Sequence, residues 1–96
     1  MRLRELAGID DDSEVTGFAI DHRKVARGSV FGAFKGAVFD GEDFIGQAVD
    51  RGAAAVVARP EAQVEGVPHL ADPHPRKLFA ALAARYFGPY PETVVA

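Results

Sequence analysis

The residues able to do chemistry gather in two neighbouring stretches. Asp21-His22-Arg23-Lys24 with Arg27 and Lys35 sets guanidinium, ammonium and imidazole groups against one carboxylate, Asp21. Charged donors of this kind grip phosphate oxygens through charge-assisted hydrogen bonds. The second stretch, Gly36 to Gly41, is a loop with glycine at each end, opening directly into a helix start. Free amides at a helix N-terminus favour an anion, and glycine lets the backbone come close. Together the two loops are able to hold a diphosphate, with an attached base or sugar against apolar side chains. The same residues also read as a solvated loop of ordinary surface charge.

Other groupings have plainer readings. His69, Asp72 and His74 are metal-ligand types, but Asp72 reads as a helix cap and His74, between two prolines, as a first-turn surface residue. Asp40, Glu42 and Asp43 resemble an acid–base pair, yet fit the acidic first turn of a helix with Asp40 as its cap. No GxxxxGK[ST] phosphate loop, GxSxG elbow, HExxH or CxxC spacing occurs. The segment alone is therefore not expected to be catalytic, and neither catalytic nor metal-binding residues are assigned to it.

These loops need a scaffold. The chain has 96 residues, enough for one domain, with 48% hydrophobic and 26% charged residues, a globular balance. A net charge of −3 argues against a chain-wide attraction to nucleic acid. Cysteine is absent, so disulfides and thiolate metal sites are excluded. No apolar run approaches the ~20 residues of a membrane span, and Met1 to Glu5 lacks the apolar stretch of a signal peptide. A cytoplasmic location is expected.

Hydrophobic patterning predicts strands at Val15–Ile20, Ser29–Phe34, Ala53–Ala58 and, more weakly, Val67–Leu70. Gly32 inside the second signals a close backbone approach or a bulge. Helices are predicted over Glu42–Arg51, with Phe44, Ile45, Ala48 and Val49 on one stripe and Gly52 as C-terminal cap, and from Asp72 to Phe87. Phe31, Phe34, Phe44, Leu78, Phe79 and Leu82 read as core. The pattern is α/β, a small mixed sheet with flanking helices. Thr93 to Ala96 reads as a strand just begun, so the chain is expected to be a piece of a longer protein.

The ordered run Asp21-His22-Arg23-Lys24-Val25, Gly28-Ser29-Val30-Phe31, Phe34-Lys35-Gly36, Phe39-Asp40-Gly41-Glu42-Asp43-Phe44-Ile45 and Gly52-Ala53 resembles the N-terminal domain of the Mur ligases of peptidoglycan synthesis. Among them it is most similar to the MurE type, which adds the third amino acid to UDP-N-acetylmuramoyl-L-alanyl-D-glutamate; the MurF type shares the Asp-x-Arg and Asp-Gly motifs. The resemblance implies that residues 1–96 form a single domain binding the UDP moiety of that substrate. It implies contacts at Ile20, His22, Arg23, Gly36, Ala37, Val38 and Phe39, with Phe39 the candidate to lie against uracil. His22 stands where the family usually has Ser or Thr, and is expected still to face the ligand. Arg23 reads alternatively as a structural partner of Asp21 or of a carbonyl. No cofactor is implied in this segment; ATP and Mg2+ serve the full-length ligase, whose central domain would pack against this one. The added amino acid would be meso-diaminopimelate. A stand-alone anion-binding module and a protein-interaction module remain alternatives.

Overall fold

The computed structural model describes residues 1–34 and 40–88. In chain order it contains helix α1 (Leu3–Ala7), strands β1 (Gly17–Ala19) and β2 (Ser29–Gly32), helix α2 (Ile45–Asp50), strands β3 (Ala55–Ala58) and β4 (His69–Ala71), and helix α3 (Pro75–Phe87). Short 3₁₀ turns, His22–Lys24 and Gly41–Phe44, follow β1 and precede α2. The strands pair in the order β1-β2-β3-β4, each pair parallel, with Phe18 opposite Val30, Phe31 opposite Val56 and Val57 opposite Leu70.

The α/β class with flanking helices is as the sequence implied. Among the described residues the sheet is not mixed: its four strands all run parallel, and the antiparallel pairing is an isolated Arg2–Glu14 bridge. Each connection carries the chain back to the same end of the sheet, so consecutive strands enter in the same direction.

A parallel sheet covered on both faces buries every residue of its inner strands, and β2 and β3 are buried throughout. Alternation divides them. Val30, Ala55, Val57 and Leu70 meet Leu3 and Leu6 of α1 and Leu82 of α3 on one face. Phe31, Val56 and Ala58 meet Val25 and the Ile45 and Ala48 side chains of α2 on the other. Each fully buried Val or Phe contributes about 1.5–3 kcal/mol. Gly32 lies in unbroken register with Val57, so there is no bulge. What comes close to it is a pair of aromatic rings, Phe34 and Phe79, and not another backbone segment.

Several boundaries differ from the sequence expectation. The first strand shrinks to Gly17–Ala19, leaving Ile20 outside and exposed. Asp40 caps as expected, its carboxylate accepting the Glu42 N–H at 3.0 Å. That first turn is 3₁₀, however, and the α-helix begins at Ile45. Gly52 does adopt the left-handed region, φ +104°. At α3, the N-cap is His74, not Asp72; the Asp72 carboxylate accepts the His74 N–H at 2.7 Å one step earlier, and Pro75 opens the helix. Thr93 to Ala96 lie outside the described residues.

Candidate ligand-binding site

Parallel strands bring their carboxyl ends to one edge, where ligands of open α/β sheets collect. β1 leads there into Ile20-Asp21-His22, β2 into Ala33-Phe34, β3 into Arg59, and β4 into Asp72-Pro73-His74 and α3. A cleft of about 500 Å³ opens at this edge between Phe34, Glu42, Arg59 and the Pro73–Lys77 stretch. A smaller hollow of about 100 Å³, lined by Ile20, Gly32, Phe34, Gly41 and Arg76, shares Phe34 and Arg76 with it.

The sequence-predicted contacts fall in part on this edge. Ile20, 57% exposed, lines the hollow. His22 opens the 3₁₀ turn, and its ring stacks on Phe44 with centroids 4.1 Å apart and planes 1° from parallel. Its Nδ1 is buried with no hydrogen-bond partner among the described residues, 3.9 Å from Asp21 Oδ1. Phe44 thus acts as a stacking surface as well as packing against the core, which corrects the purely core reading of that side chain. Phe34, outside both core clusters, carries Arg76 over its ring and packs edge-on against Phe79. Phe31 and Leu82 are buried as expected, while Leu78 and Phe79 are half-buried against the core.

Arg23 pairs with Asp21. Its Nε donates to Asp21 Oδ1 at 3.1 Å, its terminal nitrogen to Oδ2 at 2.8 Å, and its backbone N–H to Oδ1 at 2.9 Å. These donors favour the charged carboxylate and hold Asp21 well below the usual carboxylate range. The fork shapes the turn that presents His22. Gly36, Ala37, Val38 and Phe39 lie outside the described residues.

The ends of the second loop are fastened. The Gly41 N–H donates to the Phe34 carbonyl at 2.8 Å, closing the mouth. A Cβ at Gly41 would stand 3.0 Å from Phe34 N and 3.1 Å from Phe34 O, so this closure leaves little room for a side chain. Glu42, next in line, receives Arg59 Nε at 2.6 Å and a terminal Arg59 nitrogen at 3.2 Å. Glu42 thereby raises the Arg59 pKa further. The Arg59 carbonyl faces His69 Nε2 at 3.2 Å, which sets that nitrogen as the protonated one. With His69 turned to a carbonyl and Asp72 to a backbone amide, the His69-Asp72-His74 group does not converge. No group of three or more His, Asp or Glu side chains among the described residues is placed to hold a metal ion.

Arg59, Glu42 and Arg76 were not foreseen as part of this edge. The signal available was position: Arg59 follows a buried strand directly, and Arg76 sits in the first turn of the helix after β4.

The sequence of this chain matches the model of the Mur ligase family, catalytic domain, over residues 14–87. A protein of Zymomonas mobilis named UDP-N-acetylmuramoyl-L-alanyl-D-glutamate--2,6-diaminopimelate ligase is 53% identical over 87 residues, 91% of this chain and 18% of that protein. Proteins of the same name from Mesorhizobium japonicum and Brucella melitensis are 45% and 38% identical over the whole chain, each with 22% of its own length covered. The chain spans about a fifth of the length of these relatives. A family match through all four strands and the whole of α3, with such identities over alignments that span nearly the whole chain, places this chain in the Mur ligase family.

Proposed function

We propose that residues 1–96 are the N-terminal, UDP-substrate-binding domain of a three-domain ligase of the MurE type. The whole protein joins meso-diaminopimelate to UDP-N-acetylmuramoyl-L-alanyl-D-glutamate. The observation that carries this reading is the 53% identity to a relative bearing that enzyme's name. The strand-end edge supports it physically. Ile20, two residues before His22, lines a hollow that shares Phe34 and Arg76 with a cleft within the volume range of small-molecule sites. Ile20, His22 and residues 36–39 are the proposed UDP contacts, and Asp21 with Arg23 holds the first turn in shape.

The domain's contribution is positioning. Holding the nucleotide handle, remote from the reacting carboxylate, lowers the entropic part of the barrier at the far end of the substrate. ATP and Mg2+ would activate that carboxylate as an acyl phosphate in the longer protein. No helix among the described residues is long and apolar enough to cross a membrane.

The test is direct. The full-length protein, given UDP-N-acetylmuramoyl-L-alanyl-D-glutamate, ATP and Mg2+, is expected to release ADP and form the tripeptide product with meso-diaminopimelate, and UDP alone is expected to compete. Product with lysine only would overturn the substrate assignment. Failure of UDP to compete would overturn the binding assignment.

A further inference from the structure

We infer that Arg76 is a phosphate contact of this site: its guanidinium, laid across Phe34, receives the diphosphate of a nucleoside-diphosphate ligand. This deepens the proposed function and rests on that reading.

The cations at this edge differ in what holds them. Arg23 is committed to Asp21 by a two-point pairing. Arg59 is committed to Glu42 in the same way. Arg76 is exposed, lines both the cleft and the hollow, and makes no ion pair with any described carboxylate. Among the described residues its one directed contact is with a ring face: the guanidinium carbon lies 4.7 Å from the Phe34 centroid. Contact with the ring face restrains the guanidinium without consuming its N–H donors. A planar fork held in place with free donors is suited to two phosphate oxygens.

The surroundings agree. Arg76 and Lys77 lie in the first turn of the 13-residue α3, where the helix dipole adds positive potential. Lys77 also lines the cleft without a described acidic partner. The hollow joins Arg76 to Ile20, the residue after β1 and two before His22. A diphosphate reaching from the His22 turn toward the cleft therefore passes under the Arg76 fork, and the cleft leaves room for the rest of the nucleotide.

The experiment measures UDP and uridine affinity in the full-length protein, by calorimetry and by competition against the UDP-linked substrate. Arg76→Ala is expected to weaken UDP roughly 10- to 100-fold, the loss of hydrogen bonds to a charged group, while uridine stays within about twofold. Arg76→Lys keeps charge and loses the fork, so an intermediate loss is expected. If the alanine variant does not fold, the lysine variant carries the test alone. UDP binding unchanged in both variants, or UDP and uridine weakened equally, overturns the phosphate assignment. A wild-type protein that does not bind UDP at all overturns instead the function on which the assignment rests.

Discussion

Gly32→Ala tests how the core shapes the edge. Gly32 is buried at the end of β2, and two rings fill the space a side chain would take. A methyl there would stand 2.6 Å from Phe34 Cζ, 3.0 Å from Phe34 Cε2 and 2.9 Å from Phe79 Cδ1. Carbon–carbon contacts settle at about 3.5–4.0 Å, so the Phe34 ring must withdraw by about 1 Å. It cannot do so freely, because it packs edge-on against Phe79 with centroids 5.4 Å apart and carries Arg76 on its face. Overpacking of this kind costs about 1–3 kcal/mol, and loss of glycine's freedom in the unfolded chain returns about 0.4–1 kcal/mol. The net expectation is a loss of about 1–2 kcal/mol, read as a lower urea midpoint with unchanged slope. A double-mutant cycle isolates the cause. In a Phe34→Ala background the cost of Gly32→Ala should fall by about half or more, Phe79 remaining as the second obstacle. Equal costs in the two backgrounds, within the ~0.3–0.5 kcal/mol expected of independent sites, would refute the reasoning.

Other expectations follow from the same geometry. Phe31→Ala removes a ring with 0% exposure from the face under α2, and urea unfolding should show a loss of about 3–5 kcal/mol. Asp21, whose folded pKa is depressed by Arg23, contributes stability that is fully present above its unfolded pKa of about 3.9 and lost as pH falls below it. Asp21→Asn should therefore flatten part of the decline in urea midpoint below about pH 4, with little change in its slope between pH 5 and 7; an unaltered acid limb would show that the pair carries no such linkage. His22→Ala in the full-length protein should weaken UDP-substrate binding, measured by competition, and unchanged affinity would remove His22 from the site.

The sheet was legible where burial is two-sided. Ser29–Phe34 and Ala53–Ala58 are continuous apolar runs, and the strands they predict differ from β2 and β3 only at their ends. Helix α1 was not anticipated. Its five residues carry too few apolar positions for a periodic signal. Its stability is tertiary instead: Leu3 and Leu6 have 0% exposure, the Leu3 and Arg4 amides donate to Ser13 and Asp11, and Arg85 reaches from α3 to the Leu6 carbonyl. The mixed-sheet expectation erred because strand direction depends on how each connection returns, which composition does not encode. At the site, the Asp21–Arg23 pairing was one of two readings the sequence left open for Arg23, and the structure shows it two residues apart across a tight turn. The Arg59–Glu42 tie and the Arg76–Phe34 contact were not foreseen. They join residues far apart in sequence that meet only because the parallel strands end on one edge.

Amide NMR titration of the chain with UDP-N-acetylmuramoyl-L-alanyl-D-glutamate addresses the central claim most directly. Binding at the carboxyl edge predicts shifts at Ile20–Arg23, Phe34, Gly41 and Arg76, with the amino edge around Gly28, Gly52 and Gly66 quiet. Shifts confined to that opposite edge, or to the outer face of α1, would contradict it.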